Sequence, residues 1–365
     1  MFDRRLVVNF DWILLLVVCA LAGVGIVNLF SATANWQLSS TPLYMKQLVW
    51  LGGGLILVLL ICCFDYRHLE HFAIHGYIVS IGMLLFVLLS GKTSMGATRW
   101  INLGFFNLQP SEVIKIVMIL LLARIFGRTA QPRGYSLVDL WRPALLLLLP
   151  IGLILKQPDL GTALMLIFIS ASMLLFAGLR RSTLLSLGLL GLIAAVLGWF
   201  GLHDYQKTRI MTFLNPEADP LGSGYHIIQS KIAVGSGGFL GKGFLQGTQS
   251  QLSFLPERHT DFAFSVFAEE WGFVGCSLLL LGYLFLIIWG IYIARRAADR
   301  FGMFLAFGVT AMIFWHIVVN LGMVIGLLPV VGVPLPLFSY GGTSMVTTMI
   351  GVGLLMSVSM RRFIF

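Results

Sequence analysis

Ten long apolar runs follow one another along this chain, near 11–31, 45–64, 72–90, 111–127, 141–156, 160–178, 183–202, 262–294, 302–327 and 337–360. A helix that crosses the hydrocarbon core needs roughly 20 mostly apolar residues. Inside lipid, each such segment must satisfy its own backbone N–H and C=O groups, which leaves helices or closed barrels. The expectation is an all-α polytopic membrane protein with about ten transmembrane helices. The composition agrees, at 58% hydrophobic and 11% charged residues with a mean hydropathy of +0.93. A water-soluble core could not hide that much apolar surface.

The first run follows Arg4 and Arg5 and is too long for the apolar region of a cleaved signal peptide, so it is expected to stay as an anchor. The four cysteines, Cys19, Cys62, Cys63 and Cys276, all fall in apolar runs without the spacing of a metal site or a disulfide framework. No soluble appendage or internal repeat interrupts the pattern, and residues 1–365 are expected to form a single membrane domain.

Orientation follows from the arginines. With the N-terminus inside and ten alternating spans, fourteen basic residues, all arginine, fall on the inner side, among them Arg67, Arg124, Arg128, Arg142, Arg295 and Arg361. Every lysine falls in the outer half. Short loops thus obey the positive-inside rule, with both termini cytoplasmic. The net charge of +9 then belongs to arginines near anionic lipid, and no nucleic-acid partner is implied. The segments 91–110, QPDLG, 203–261 and PLFSYGG all lie outside, where chemistry has no cytosolic ATP and must be driven by an activated substrate.

The long outer segment, about 203–261 between the seventh and eighth runs, is too long for a turn. Its apolar patches and its Asn-Pro, Asp-Pro and glycine punctuation predict short amphipathic helices and tight turns at the outer leaflet. Within it, GSGGFLGKG (235–243) fails the phosphate-loop pattern, because Gly243 follows Lys242 and no strand precedes it. A glycine-rich turn accounts for it, with Lys242 still available to an anionic headgroup.

QPSEVIKI (109–116) puts Pro110 at a first helical position, with Glu112 and Lys115 facing each other at i, i+3 just below the outer end. Ionisable residues at that depth are costly and usually face a cavity. Lys156 and Asp159 flank the QPDLG turn, where a solvated pair explains them as well as a site does. Arg99 beside Trp100 fits either a site or a snorkelling arginine with an aromatic anchor. His68, His71 and His75 share a helix face without supporting carboxylates, which fits an interfacial cluster better than a metal site, and His316 fits a satisfied core histidine.

The stretch LPERHTDFAFSVFAEEWG (255–272) gathers Glu257, Asp261, Glu269, Glu270, Arg258 and His259 at the start of an apolar run. A helix beginning near Asp261 would put Asp261, Ser265 and Glu269 along one face, with Asp261 at the membrane boundary and Glu269 deeper. Helix capping accounts for Asp261 alone but not for the deeper acids. An acid against apolar walls has its charged form disfavoured, which moves its pKa toward that of a useful base.

The motifs GYHIIQSKIAVGSGG, GKGFLQGTQSQLSFLPERHTDFAFSVFAEEWG, GLLPVVGVPLPLFSYGGTS and QPSEVIKI together resemble the SEDS family (shape, elongation, division and sporulation), and within it the cell-elongation branch. The resemblance runs from the first span to the last. It implies ten helices, cytoplasmic termini and a large outer loop after the seventh span. It also implies a peptidoglycan glycosyltransferase of the bacterial cytoplasmic membrane that polymerises lipid II into glycan strands, with undecaprenyl pyrophosphate as leaving group. Asp261 matches the family's proposed catalytic aspartate, acting as general base. Glu112 and Lys115 match its intramembrane charged pair, and Arg99 and Asp159 match other polar cavity positions. Lys156, Lys242 and Ser339 are further candidates for the cavity, and Glu257 and Arg258 for its entrance. A divalent cation, Mg or Mn, on the pyrophosphate is compatible with the family but has no ligand motif here. The implied partners are the lipid-linked strand, a class B penicillin-binding transpeptidase and other membrane proteins of the elongation complex. Two other readings stay open: a flippase for lipid II, and a non-catalytic scaffold for the transpeptidase.

Overall fold

In a computed structural model of the chain, residues 9–34, 41–90, 92–94, 97–102, 104, 107–129, 131–201, 204–219, 224–252, 254–255 and 257–362 are described. Arg4 and Arg5 lie outside them. The apolar runs are helices: α1 (Trp12–Ala32), α2 (Leu43–Cys63), α3 (Tyr66–Ser90), α4 (Pro110–Arg128), α5 (Trp141–Lys156), α6 (Leu160–Ala177), α7 (Arg181–Gly201), α11 (Ala263–Arg295), α12 (Arg300–Val324) and α13 (Gly342–Met360). Among the described residues, nine of these are long and apolar enough to cross a membrane. The remaining one, α4, has the length but carries Glu112, Lys115, Arg124 and Arg128. It tolerates them because it is buried in the bundle, against α3, α6 and α12, and so does not meet lipid along most of its length.

The 203–261 segment forms α8 (Asp204–Leu214), α9 (Tyr225–Ser236) and the single turn α10 (Thr248–Gln251), as its punctuation predicts. The 91–110 segment is more ordered than its composition suggests: β1 (Lys92–Ser94), β2 (Ala97–Asn102) and β3 (Asn107–Leu108) make a small antiparallel sheet in the order β1-β2-β3. These strands are too short and polar for periodicity to reveal.

One end of the bundle is tied together by arginines. Arg361 donates to Cys62 O at 2.9 Å and Arg124 to Glu70 O at 3.0 Å, while Arg67 pairs with Asp299 at 3.3 Å. Asp11, at the start of α1, accepts from Ser359 at 3.0 Å, which brings that end of the chain beside the end of α13. The starts of α4, α6 and α13 gather at the opposite end, around a polar cavity.

The single helix expected from Asp261 is corrected in two respects. Helix α11 begins at Ala263, after a turn over 257–262, and it is broken at Gly272 (φ 60°, ψ −160°). The break frees the carbonyls of Glu269 and Glu270 and the N–H groups of Phe273 and Val274. The glycine-rich loop satisfies all four: Lys242 N donates to Glu269 O and Gly243 N to Glu270 O, both at 3.0 Å. In return Phe273 N donates to Gly238 O at 2.9 Å and Val274 N to Phe239 O at 3.1 Å. Such irregular backbone is tolerated at membrane depth only where protein supplies the missing partners. Gly241 is needed because a Cβ there would run into Glu270 O.

Candidate active site

The cavity occupies about 730 Å³. Its walls bring together Asp261, Glu112, Lys115, Arg99 and Asp159, from segments up to 162 residues apart in sequence (99 to 261), together with Lys46, Trp50, His316 and Tyr340.

Helix α4 contributes the buried pair. Lys115 Nζ lies 2.8 Å from Glu112 Oε1, with the two side chains 1% and 8% exposed. The same ammonium reaches His316 Nε2 at 2.8 Å, while His316 Nδ1 contacts Met312 O at 2.7 Å. A carbonyl only accepts, so Nδ1 carries the ring proton and Nε2 accepts from Lys115. His316 is thus satisfied, as a core histidine would be, but it also lines the cavity and fixes the lysine.

Asp159 is buried and caps α6. Its oxygens accept from Thr162 N at 3.2 Å, Thr162 Oγ1 at 2.9 Å, Gln109 Nε2 at 3.2 Å and Ser111 Oγ at 3.4 Å. Arg99 on β2 stands 3.9 Å from this carboxylate and donates to Gln157 O at 3.2 Å and to Pro158 O. The solvated Lys156–Asp159 pair does not form: Asp159 is held by Arg99, and Lys156 is exposed and off the cavity wall.

Asp261 sits in the turn before α11 and is half-buried. The helix N-cap is Phe262, with no side-chain cap, so Asp261 does not serve as one. Phe262 is buried against the His226 ring, and this anchors the turn. From behind, Asn320 Nδ2 donates to Asp261 O at 2.9 Å. The carboxylate itself accepts no hydrogen bond from a described residue. Its pKa is pushed up to about 6, first by burial and then by the charge of Glu257, against an opposing pull from Arg209.

Several sequence candidates stand elsewhere. Lys242 pairs with Glu269 at 2.7 Å, and Gln249 N also donates to that fully buried carboxylate, at 3.1 Å. Glu269 therefore secures the loop at 242–249 to the break in α11. Glu270 accepts from Ser31 of α1. Ser339 is buried and its hydroxyl oxygen accepts from Leu335 N at 3.1 Å, which shapes the turn before α13. Glu257 (φ 50°) accepts from Thr260 Oγ1 at 3.0 Å, and it acts on Asp261 through its charge from outside the wall. Arg258 is buried, is also absent from the wall, and has its pKa lowered by that burial.

Lys46 and Tyr340 were not among the sequence candidates. Lys46 is half-buried on the wall and makes no ion pair among the described residues. A lysine at the mouth of an apolar run was the available signal, but many interfacial lysines give the same one. For a metal, the fit is poor: no group of three or more His, Cys, Asp or Glu among the described residues could hold one. Glu112 and Asp159 are already engaged, which leaves a single unbonded carboxylate.

Comparison with known proteins accounts for the whole chain. The cell cycle protein family model that groups FtsW, RodA and SpoVE matches residues 11–363. A relative from Escherichia coli K12, named peptidoglycan glycosyltransferase MrdB, is 43% identical over 97% of this chain and 95% of its own. The Treponema pallidum peptidoglycan glycosyltransferase RodA is 35% identical over 98% and 99%. Among solved structures, one described as the coordination of polymerization and crosslinking by a peptidoglycan synthase complex superposes with a TM-score of 0.83. It is 37% identical and covers 98% of this chain and 99% of its own. The rod shape determining protein RodA of Thermus thermophilus gives 0.71, at 33% identity over 97% and 98%. On family match, identity and fold together, this multi-pass membrane protein belongs to the FtsW/RodA/SpoVE family, the SEDS family that its motifs resemble.

Proposed function

We propose that this protein is a peptidoglycan glycosyltransferase of the bacterial cytoplasmic membrane, polymerising lipid II at the outer face during cell elongation, with Asp261 as general base. The observation that carries the reading is a half-buried carboxylate, free of hydrogen bonds from described residues and with its pKa raised to about 6, on the wall of a cation-lined cavity. A base of that pKa is largely ionised at neutral pH yet retains affinity for a proton. It takes the proton of the acceptor sugar's 4-hydroxyl as the oxygen attacks the anomeric carbon of the lipid-linked donor. The anomeric C–O bond breaks, the undecaprenyl pyrophosphate leaves with that electron pair, and one displacement turns an α-linked donor into a β-1,4 bond.

The departing pyrophosphate needs positive charge placed beforehand. Lys115 and Arg99 carry counter-ions, Glu112 and Asp159, so their main part is to hold the wall in shape while contributing a polar lining. Lys46 has no such counter-ion among the described residues and is the cation best able to meet the leaving group. The described side chains do not form a cage for a divalent cation. Mg or Mn would have to arrive on the substrate's own phosphates, and no step here depends on it. A class B penicillin-binding transpeptidase is the proposed partner, with other elongation-complex membrane proteins around it.

The test is polymerisation of lipid II by the purified protein with its transpeptidase. Asp261→Asn should lower the rate by about 10²-fold or more without loss of folding. Normal polymerisation by that variant overturns the base assignment. Translocation of lipid II headgroups by the variant in liposomes, without polymerisation by wild type, would support a flippase. Normal cell shape with the variant would support a scaffold.

A further inference from the structure

A second cavity, of about 560 Å³, lies at the arginine-rich end of the bundle, between α3, α4 and α5. Its wall carries Arg124, Arg128 and Arg142. Lys115 and Arg128 are separated along α4 by about 20 Å at 1.5 Å per residue, so this cavity belongs to the opposite leaflet from Asp261.

The three arginines are held in different ways, and each keeps donors to spare. Arg124 uses Nη1 on Glu70 O at 3.0 Å and on His71 O at 3.4 Å, which fixes the guanidinium at the groove. Arg128 uses Nε on Glu70 at 2.5 Å. Arg142 lies over the Trp141 ring at 5.2 Å and has no ion pair among the described residues. Asp139, the acid on the wall, is occupied by Ser136 N at 2.8 Å and Ser136 Oγ at 2.6 Å. Even with Asp139 and Glu70 both counted against the three arginines, an excess positive charge remains.

The rest of the groove is built for lipid. Tyr77, Ile125 and Leu146 line its apolar part, and Tyr77 Oη donates to Leu146 O at 2.9 Å, tying α3 to α5 there. At the rim, Trp141 is 58% exposed and Val138 is 78% exposed. An exposed tryptophan beside an arginine is the usual dress of a membrane interface. Inner-side arginines that merely set topology need no concavity; here three of them surround one.

We propose that this groove binds the phosphate of an anionic glycerophospholipid, with Arg124, Arg128 and Arg142 around the phosphate and an acyl chain along Tyr77 and Ile125. Basic pockets between membrane helices are suited to such headgroups, and each arginine near an anionic surface contributes about fivefold in affinity. The site is separate from the Asp261 cavity and does not depend on the proposed reaction.

Native mass spectrometry of the delipidated full chain, titrated with phosphatidylglycerol or phosphatidylcholine of matched acyl chains, tests it. Wild type should retain phosphatidylglycerol at least about tenfold better, and Arg128→Gln with Arg142→Gln should lose most of that preference. Both positions are exposed, so the variant should fold; Arg142→Gln alone, expected to lose about fivefold, is the check if it does not. Arg295→Gln with Arg296→Gln, also exposed and outside the groove, should retain the preference. Equal retention of the two lipids, or equal loss in the control variant, overturns the site. Displacement of the lipid by millimolar glycerol phosphate overturns the lipid assignment in favour of a soluble phosphate.

Discussion

Asn320 holds Asp261 by its main chain. The Asn320 amide donates to Asp261 O at 2.9 Å and to Val333 O at 2.8 Å from a fully buried position in α12. It therefore ties the turn carrying the proposed base to the loop carrying Gly332, whose Cβ, if present, would lie 3.6 Å from Asp261 Oδ2. Asn320→Leu should lower kcat by about 10–100-fold with little change in KM, because misplacement by about 1 Å is costly for a positioned group. It should also cost about 2 kcal/mol of stability through the carbonyls left unpaired. Steady-state kinetics of polymerisation separate this positioning role from a binding role, which would move KM instead.

The pH profile should report Asp261. With its pKa pushed up to about 6, polymerisation should fall about tenfold per pH unit below that value and level off above it. Stability carries the opposite sign. The folded value lies above the ordinary 3.8, so the protonated carboxyl stabilises the fold fully below about 3.8 and that contribution is lost as pH rises through about 6. Asp261→Asn escapes this loss. Its Tm should exceed wild type at pH 7, by the equivalent of about 1–2 kcal/mol after discounting for solvent access, with the gap closing toward pH 4. A gap independent of pH would show that the carboxyl is unperturbed.

Lys46 and Lys156 offer a contrast between a wall lysine and an exposed one. Lys46→Gln should reduce kcat/KM for lipid II by about tenfold or more, the scale of one charge removed from a developing anion. Lys156→Gln should leave it within about twofold of wild type. Equal effects would point to general electrostatic attraction at the outer surface.

The Lys242–Glu269 pair should behave as a structural tie. Lys242→Met leaves a fully buried carboxylate without its cation and should cost about 3 kcal/mol or more. Lys242→Met combined with Glu269→Gln should recover part of that loss, so the double-mutant cycle should be strongly non-additive. Chemical denaturation of the four proteins gives the coupling.

Gly272 breaks α11 in a conformation reserved for glycine, and a Cβ there would meet the Leu240 carbonyl carbon at 2.8 Å. Gly272→Ala should destabilise by about 3 kcal/mol or more. Gly52→Ala in α2, where a Cβ would meet nothing within 4 Å, should be neutral or slightly stabilising. Thermal unfolding of both variants distinguishes a required break from a general intolerance of substitution.

Much of the architecture was legible because hydrophobic periodicity and run length are local properties. The spans, the QPDLG turn between α5 and α6, the short helices of the 203–261 segment and the i, i+3 geometry of Glu112 and Lys115 all follow from neighbours in sequence. The strands at 92–108 escaped because their register depends on pairing across a turn. The continuity of α11 was overstated because the partners that permit its break come from residues 238–243.

By itself, then, the sequence determined that the chain crosses the membrane repeatedly, which ends of its helices carry charge, and that Asp261 lies just ahead of a long apolar helix. The tertiary structure decided which charges share a cavity. Lys46 and His316 join Asp261 there, while Lys242 and Glu269 neutralise each other elsewhere. The reason is physical: periodicity gives the face a residue occupies on its own helix, but only the rotation and packing of ten helices determines what that face meets.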